Sequence, residues 1–450
     1  MNLEDLISIE KKSTKKFAAK SSSELLNKRR NNEVDQRMID DEEIEYRLPF
    51  QRDRDRIIHS RAFRRLMHKT QIFNANKGDH YRNRLTHTLE VSQIARSISK
   101  NLGLNEELTE AIALGHDLGH TPFGHIGERT LHLLISGKIE DELNLNKSNH
   151  GGFKHNFQSL QIIDNIEKRT HKYKGLNLTL AVREGILKHT GSKIKIPKKN
   201  RSIDSNEKDN VEYNSLDLTD INIDKPSFTL EGQVVAISDE IAQCTHDLED
   251  GIRAKIIRLS DIEDDKLVKL VCDKYKITLN KQLETVDIRN SLIRIMIGFL
   301  INDVCNTTEK NLKEKYNNEY PKFKNINDVF TEEVVEFSEE ITKKHKELYN
   351  LITQLVIASQ QVTQSDLKAE FIINKLFHGY FNHPQQLPDY ILSRYYEKKG
   401  KKFNRIEIEN SIENLQEDGQ FIRLICDHIG SMTDQYAARE YKKLYEPEYY

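Results

Sequence analysis

The segment EELTEAIALGHDLGH spans residues 106–120 and combines a helical pattern with several metal-binding side chains. Its apolar residues recur at spacings of three and four, which predicts a helix with one buried face. Asn105 is a good N-cap, and the two glutamates that follow it suit the positive end of a helix dipole. The helix is expected to end by Gly119, because a proline three residues later enforces a break. His116 and Asp117 therefore lie near a helix end, where they can face a cavity.

The same spacing recurs along most of the chain and predicts an all-α fold. Glycine (19) and proline (8) are sparse among the 450 residues, and few segments alternate apolar and polar side chains. The run from Leu85 to Leu102 carries one broad apolar stripe. Further helices are expected over these approximate ranges: 126–136, 155–169, 180–190 and 230–248, with several more between 252 and 445.

The chain is expected to form three regions. Residues 1–44 are an N-terminal segment, residues 45–258 a helical core, and residues 259–450 a C-terminal helical region packed on that core. The core is interrupted at about 190–228 by a polar stretch without clear periodicity. This insertion is explained either by a mobile lid or by a tolerated surface loop.

The composition is typical of a folded protein with a heavily charged surface. Hydrophobic residues make up 37% and charged residues 31%, and the formal net charge is −2. There is no global basic excess, so nucleic-acid binding has no support. The four cysteines form no C-x-x-C pair, which argues against a disulfide framework or a cysteine-based zinc site. With no signal core and no apolar span long enough to cross a membrane, a cytoplasmic protein is expected.

Histidines are concentrated in the first 250 residues, and three motifs place them at the start of one expected helix, at the end of the next and inside a third. The motifs are RLTHT at 84–88, GHDLGH at 115–120 and SDEIAQCTHD at 238–247. Imidazole nitrogens combined with carboxylate oxygens suit Mn²⁺, Fe²⁺, Co²⁺, Ni²⁺ or Zn²⁺, while Mg²⁺ would take the carboxylates and waters. A set of two histidines and two aspartates leaves coordination positions open, which indicates a catalytic rather than a structural ion.

The order H…HD…D resembles the HD phosphohydrolase superfamily, and longer motifs are similar to its deoxynucleoside triphosphate triphosphohydrolases, the dGTPase-like enzymes. The similar segments run from about residue 45 to the end of the chain: FQRDRDRIIHSRAFRRL (50–66), KTQIF (69–73), RLTHTLEVSQIAR (84–96), GHDLGHTPFGHIGE (115–128), GGFKHNFQSL (151–160), the segment 237–251 and DHIGSMTDQYA (427–437). This resemblance implies an HD-domain helical core with additional C-terminal helices. It also implies one divalent metal per subunit, with Mn²⁺ or Mg²⁺ expected before the other ions.

By the same resemblance, four residues are the metal ligands: His87, His116, Asp117 and Asp239. On the helix expected to carry Asp239, Gln243 and Asp247 are offset by about 40° and 80° around the axis, so all three can face one pocket. In related enzymes the position of Asp247 contacts the deoxyribose, and the position of Gln243 is often Tyr. From the residues alone, Asp247 is also explained as an acid on a helix surface.

His125 and Glu128 are three residues apart, close enough on a helix for the carboxylate to orient the imidazole and raise its pKa. The resemblance implies that this pair takes part in catalysis, with His125 as the general acid. Further substrate-binding residues follow from the resemblance, namely the phosphate contacts His120, His155 and Arg84 and the sugar contact Gln71. From the residues alone, His120 is also explained by satisfying a helix end, and Gln71 by a structural role.

A basic run precedes these motifs and is interleaved with Asp53 and Asp55. It consists of Arg52, Arg54, Arg56, Arg61, Arg64 and Arg65. The run is explained by binding of the triphosphate, by a regulatory nucleotide, by a subunit contact or by a self-neutralised helix face.

The function that the resemblance implies is metal-dependent hydrolysis of dGTP or of several dNTPs. Water attacks the α-phosphorus, and the products are the deoxynucleoside and inorganic tripolyphosphate. A homo-oligomer, either hexamer or tetramer, is expected as well. Two alternatives stay open: an HD phosphohydrolase acting on another nucleotide or an RNA end, and a nucleotide-sensing protein with a vestigial site.

Overall fold

The computed structural model of the protein describes most of the chain. The described residues are 3–15, 18–20, 47–73, 81–136, 150–170, 173–190, 216–218, 221–279, 285–316, 330, 332–408 and 412–447. Within these ranges the fold is all-α, with eighteen α-helices, a few short 3-10 and π turns and no β-strand. This confirms the predicted fold class.

The described residues contain the following helices in chain order. They are α1 (Leu3–Ser13), α2 (Pro49–Ile58), α3 (Arg61–Arg65), α4 (Arg84–Leu102), α5 (Glu106–Gly115), α6 (His125–Ile135), α7 (His155–Gln161), α8 (Leu180–Leu187), α9 (Leu230–Arg253), α10 (Leu259–Ile262), α11 (Lys266–Tyr275), α12 (Thr285–Tyr316), α13 (Glu339–Ile352), α14 (Gln360–Asn382), α15 (Asp389–Lys398), α16 (Ile412–Gln416), α17 (Gly419–Gly430) and α18 (Asp434–Tyr445). None of them combines the length and the apolar character that a membrane span requires.

Helix α5 begins where the sequence predicts and, as expected, has ended before Gly119. The Asn105 side-chain oxygen accepts hydrogen bonds from the backbone N–H groups of Glu107 and Leu108, at 3.1 and 3.2 Å. The helix ends at Gly115, and the chain turns through His116 instead of continuing to Gly119. The turn packs tightly, since a Cβ on Gly119 would lie 2.2 Å from the backbone of helix α7.

Two hydrophobic clusters organise the fold. The first surrounds helices α4, α5 and α9, which pack on one another, and it includes residues from Ala18 to Val362. The second lies among the C-terminal helices α14, α15 and α17, and it also takes in Leu131 and Ile135 of α6. The predicted domain division at residue 258 stays a prediction. The first cluster contains residues on both sides of that position.

Most of the predicted insertion at 190–228 lies outside the described residues. Its final part is described and is packed against the core, with Ile221 and Phe228 buried. Ser227 donates a hydrogen bond from its hydroxyl to Glu184 of α8, at 2.6 Å. This end of the insertion therefore leads into helix α9, which carries part of the candidate site.

Candidate active site

Four side chains converge at the centre of the first cluster, from α4, from the turn after α5 and from α9. The Nε2 atom of His87 lies 3.0 Å from Oδ1 of Asp239. The Nε2 atom of His116 lies 3.7 Å from that same oxygen and 3.3 Å from Oδ1 of Asp117. His87, His116 and Asp117 are buried, whereas the Asp239 side chain is 21% exposed. The four predicted metal ligands are thus neighbours around a point that is open on the Asp239 side.

The chemistry of His116 fits a metal ion. Its Nδ1 atom lies 2.7 Å from the carbonyl oxygen of Ala113, so this nitrogen carries the hydrogen and donates it. Its Nε2 atom is buried and has no hydrogen-bond partner among the described residues. A divalent cation satisfies such a lone pair, and a backbone acceptor behind the ring is the usual arrangement for a metal-binding histidine.

Arg84 lies beside this cluster and contacts Asp117. Its Nη1 atom donates to Oδ2 of Asp117 at 2.7 Å, and the side chain is almost wholly buried. Burial opposes ionisation of Asp117, but His116, His120 and Arg84 outweigh it and hold the pKa of that carboxyl well below its ordinary value. The Nε and Nη2 atoms of Arg84 have no hydrogen-bond partner in the described part of the chain. A buried guanidinium with free N–H groups is suited to a phosphate.

Three histidines continue the cluster on the other side of Asp117. The ring of His120 stacks on that of His155, with centroids 3.9 Å apart, and its Nε2 atom lies 3.0 Å from Oδ1 of Asp117. The ring of His125 meets the His120 ring edge-on, at 5.3 Å. The structure therefore brings together these three predicted residues and the predicted ligands.

The expected pairing of Glu128 with His125 is wrong. Glu128 accepts its hydrogen bond from Nδ1 of His155, at 2.6 Å, because the first turn of α6 directs the carboxylate towards α7. The chemistry of His125 also differs from the expectation. Although the ring is exposed to a cavity, desolvation by the surrounding protein, with help from Arg84, lowers the pKa of His125 to about 4. Glu128 therefore orients His155, and His125 is near both residues without this anchor.

A cavity of about 720 Å³ adjoins His125. Gln71 and Phe123 line it from the core, and Ala369 of α14 and Asp434 of α18 line it from the C-terminal helices. The side-chain oxygen of Gln71 is buried without a hydrogen-bond partner among the described residues. The C-terminal helices therefore form a wall of the space next to the predicted catalytic residues.

Comparisons with known proteins identify two domains in this chain. An HD domain covers residues 84–243, and a phosphohydrolase-associated domain covers residues 335–443. A deoxyguanosinetriphosphate triphosphohydrolase-like protein of Bartonella tribocorum is 38% identical over 407 residues, which cover 89% of this chain and 90% of the relative. The chain belongs to this family. It is a dGTPase-like member of the HD phosphohydrolase superfamily.

Two further relatives of this HD phosphohydrolase carry the same name. The protein of Pelagibacter ubique is 38% identical over 401 residues, covering 87% of this chain and 92% of the relative. The protein of Geobacter sulfurreducens is 34% identical over 422 residues, covering 91% and 92%. The similarity thus extends over nearly the whole of each chain, including the C-terminal helices that wall the cavity.

The two predicted sugar residues on α9 of this HD phosphohydrolase differ in burial. Asp247 is buried, and burial, together with nearby Asp250 and Asp239, raises the pKa of its carboxyl well above the ordinary value. Gln243 is half-buried. Asp247 is therefore not an acid on a helix surface, whereas its contact with a sugar stays a prediction.

Three residues of the site were missed by the sequence analysis. The Nδ1 atom of His189 donates to the carbonyl oxygen of Ile186 at 2.7 Å, so the hydrogen of this ring is on Nδ1. Its Nε2 atom therefore accepts a hydrogen bond from Nε2 of His155, at 3.1 Å. His246 lies 3.2 Å from His87 between their Nδ1 atoms, and burial lowers its pKa well below the ordinary value. Tyr349 of α13 lies near Asp247, and its pKa is raised to about 12 by burial and by that carboxylate. Of the three, only His246 falls within a quoted motif.

The basic run serves the fold in its first half. Arg56 donates to the carbonyl oxygens of Leu176 and Asn177, and Arg54 is paired with Glu107 at 2.8 Å. Arg61 and Arg65, by contrast, line a separate cavity of about 1140 Å³ together with C-terminal helices. The run therefore combines structural contacts with a basic wall that is distinct from the candidate active site.

Proposed function

We propose that this HD phosphohydrolase hydrolyses deoxynucleoside triphosphates, dGTP or several dNTPs, to the deoxynucleoside and inorganic tripolyphosphate. The proposal rests on one observation. Two side chains that have nitrogen atoms without a described partner contact the same carboxylate. Asp117 contacts both His116 and Arg84, and among the described residues the Nε2 atom of His116 and two nitrogens of Arg84 have no hydrogen-bond partner. A phosphate group with a metal ion would complete both. The name of the relatives, deoxyguanosinetriphosphate triphosphohydrolase-like protein, supports the class of substrate.

In this proposal four residues would hold one divalent ion, with Mn²⁺ or Mg²⁺ expected: His87, His116, Asp117 and Asp239. When bound, such an ion supplies charge neutralisation on the α-phosphate and a position for the attacking water. Arg84 donates from Nε and Nη2 to phosphate oxygens. His120, stacked on His155, contributes a further phosphate contact.

The leaving 5′ oxygen needs a proton, and two histidines are placed to supply it. With a pKa of about 4, His125 is neutral at pH 7, so it can act as the acid only if the negative triphosphate raises that pKa. His155 donates from Nδ1 to the Glu128 carboxylate at 2.6 Å, which fixes the orientation of its ring. We propose His125 as the acid, because it faces the cavity, and the Glu128 and His155 pair as the group that orients the phosphates.

Recognition of deoxyribose is proposed for the cavity side of the site. The side-chain oxygen of Gln71 has no partner within the described ranges. Asp247 is a buried acid near Tyr349, and Gln243 lies between Asp239 and Asp247 along α9. Buried polar groups of this kind discriminate against an analogue that leaves them unpaired. A ribonucleotide is therefore expected to be the poorer substrate.

The family resemblance also supports a cytoplasmic homo-oligomer, either hexamer or tetramer, and a regulatory nucleotide. The cavity beside Arg61 and Arg65 is proposed for a second anion, which would compete with Glu167 for these arginines, now 3.5 and 3.7 Å from its carboxylate. Size-exclusion chromatography with light scattering gives the oligomeric state directly. Activity measured on single dNTPs and on mixtures shows whether one nucleotide activates hydrolysis of another.

Product analysis tests the proposed function. Purified protein is incubated with each dNTP and each rNTP in the presence of Mn²⁺ or Mg²⁺, and the phosphates are separated by ion chromatography. Tripolyphosphate with deoxynucleoside is expected from dNTPs. Monophosphate with pyrophosphate would assign another reaction, and nucleotide binding without turnover would assign the sensing alternative.

A further inference from the structure

Glu90 and His246 lie next to the predicted metal ligands. Helix α4 carries His87 and, one turn later, Glu90. Helix α9 carries Asp239 and, two turns later, His246. Where the helices pack, His87 faces Asp239 and Glu90 faces His246. Each helix thus supplies one predicted ligand and one residue adjacent to it.

The outer end of this arrangement is fixed by an ion pair. Arg82 donates to both oxygens of Glu90, from Nε at 2.8 Å and from Nη2 at 3.2 Å, and it is also paired with Asp250 at 2.9 Å. Oε2 of Glu90 lies 3.1 Å from Nε2 of His246. Because a carboxylate oxygen accepts, the single hydrogen of the neutral His246 ring lies on Nε2.

His246 in turn decides which nitrogen of His87 carries the hydrogen. With its own hydrogen on Nε2, His246 presents a lone pair at Nδ1, and the Nδ1 atom of His87 is 3.2 Å away. His87 therefore donates from Nδ1 and keeps a lone pair on Nε2. That Nε2 atom lies 3.0 Å from Oδ1 of Asp239, which is also an acceptor. In this tautomer both atoms would offer lone pairs to one cation.

We propose that His246 and Glu90 are positioning residues that hold His87 in the tautomer required for metal binding. The proposal rests on the proposed role of His87 as a ligand. His116 obtains the same tautomer from the backbone carbonyl of Ala113, so it does not depend on His246. Loss of His246 should consequently weaken metal binding through one ligand without abolishing it.

The affinity of the metal-stripped, full-length protein for Mn²⁺ tests the proposal by isothermal titration calorimetry. His246→Leu removes the acceptor, whereas His246→Asn places an amide oxygen near the position of Nδ1. Residues behind a ligating histidine typically contribute about 10- to 100-fold to metal affinity. His246→Leu is expected to lose affinity on that scale, and His246→Asn to retain most of it. Glu90→Gln should show a smaller loss, because its amide oxygen can still accept from His246.

Matched variants separate this effect from general damage. His428→Leu removes a buried histidine in the second cluster, and Glu110→Gln removes the charge of another ion-paired glutamate. Neither should change the affinity for Mn²⁺. Thermal unfolding followed by circular dichroism shows that each variant is folded.

His87→Ala distinguishes the two proposals. If it leaves Mn²⁺ affinity unchanged, His87 is not a ligand, and both proposals are overturned. If it weakens binding while a folded His246→Leu protein binds as the wild type does, only the positioning role is overturned. Equal losses in the folded Leu and Asn variants would also overturn it, because ring packing and not the acceptor would then be the cause.

Discussion

The two hydrophobic clusters hold their buried polar groups in different ways. At the centre of the first, His116, Asp117 and Arg84 contact one another, and several of their nitrogens have no partner among the described residues. In the second, His428 also has a buried Nε2 atom without a partner among the described residues, and its ring lies beside that of Tyr380, at 5.5 Å. An unpaired buried polar atom typically costs about 1–3 kcal/mol. The first cluster differs because the unpartnered atoms of His116 and Arg84 belong to side chains that meet at the carboxylate of Asp117, where one ligand could reach both.

The largest expected effect is the loss of a ligand from the first cluster. Asp239→Ala and Asp117→Ala each remove an anionic ligand and should lower kcat by roughly 10³-fold or more, since the ion supplies several kcal/mol of charge stabilisation. Metal content measured by mass spectrometry should fall with activity. As a control, Asp427→Asn changes a buried acid next to the second cluster, and this variant should retain its bound metal. Near-normal activity and metal content in the Asp239 or the Asp117 variant would contradict the proposed coordination set.

The next effect distinguishes the two candidate acids. His125→Ala should lower kcat by about 10²- to 10⁴-fold, as expected for loss of a general acid, with metal binding almost normal. An analogue with an activated aryl leaving group at the α-phosphate should restore much of the rate in this variant, because it needs no protonation. Glu128→Gln should resemble His155→Ala in KM and kcat, since these two side chains share a hydrogen bond. Rescue of the His155 variant instead of the His125 variant would transfer the acid role to His155.

A change within the second cluster should affect stability and not the metal site. Phe421 of α17 is fully buried, and its replacement by Ala should cost about 3–5 kcal/mol of unfolding free energy. Urea denaturation measures this loss. The Mn²⁺ affinity of the remaining folded protein should stay at the wild-type value, and a parallel loss of affinity would show that the two clusters are not independent.

The smallest effect concerns acid stability. Burial, and then nearby Arg394, lowers the pKa of His428 to about 4, below the ordinary 6.5. Between these two values the unfolded chain binds the proton more tightly, so the stabilisation is complete above pH 6.5 and decreases as the pH falls towards 4. His428→Gln should reduce the loss of unfolding free energy between pH 7 and pH 5 by up to about 2 kcal/mol. Identical pH profiles for variant and wild type would contradict this assignment.

The sequence predicts the first cluster well because its helices are signalled locally. Asn105 caps α5 as expected, and α4 extends over the apolar stripe that ends at Leu102. The end of α5 by Gly119 was also predicted, but the close approach of the α7 backbone to Gly119 was not. Periodicity shows which face is buried, but it does not show which helix packs against it.

The sequence indicates which residues belong to the site better than it indicates which of them contact each other. A spacing of three residues favoured Glu128 with His125, whereas the carboxylate bonds to His155, which is 27 residues later in the chain. His189 reaches the site from the turn after α8, and no local pattern distinguishes it from a structural histidine. Contacts between helices decide both cases, and they are set by the packing of the whole first cluster.

Hydrolysis of dGTP in ¹⁸O-labelled water, with Mn²⁺, tests the central claim most directly. If the first cluster directs water to the α-phosphorus, mass spectrometry will find one ¹⁸O atom in the tripolyphosphate and none in the deoxyguanosine. The Asp239→Ala protein, measured in parallel, should form neither product above background. Label in the deoxyguanosine, or release of dGMP with labelled pyrophosphate, would contradict the account.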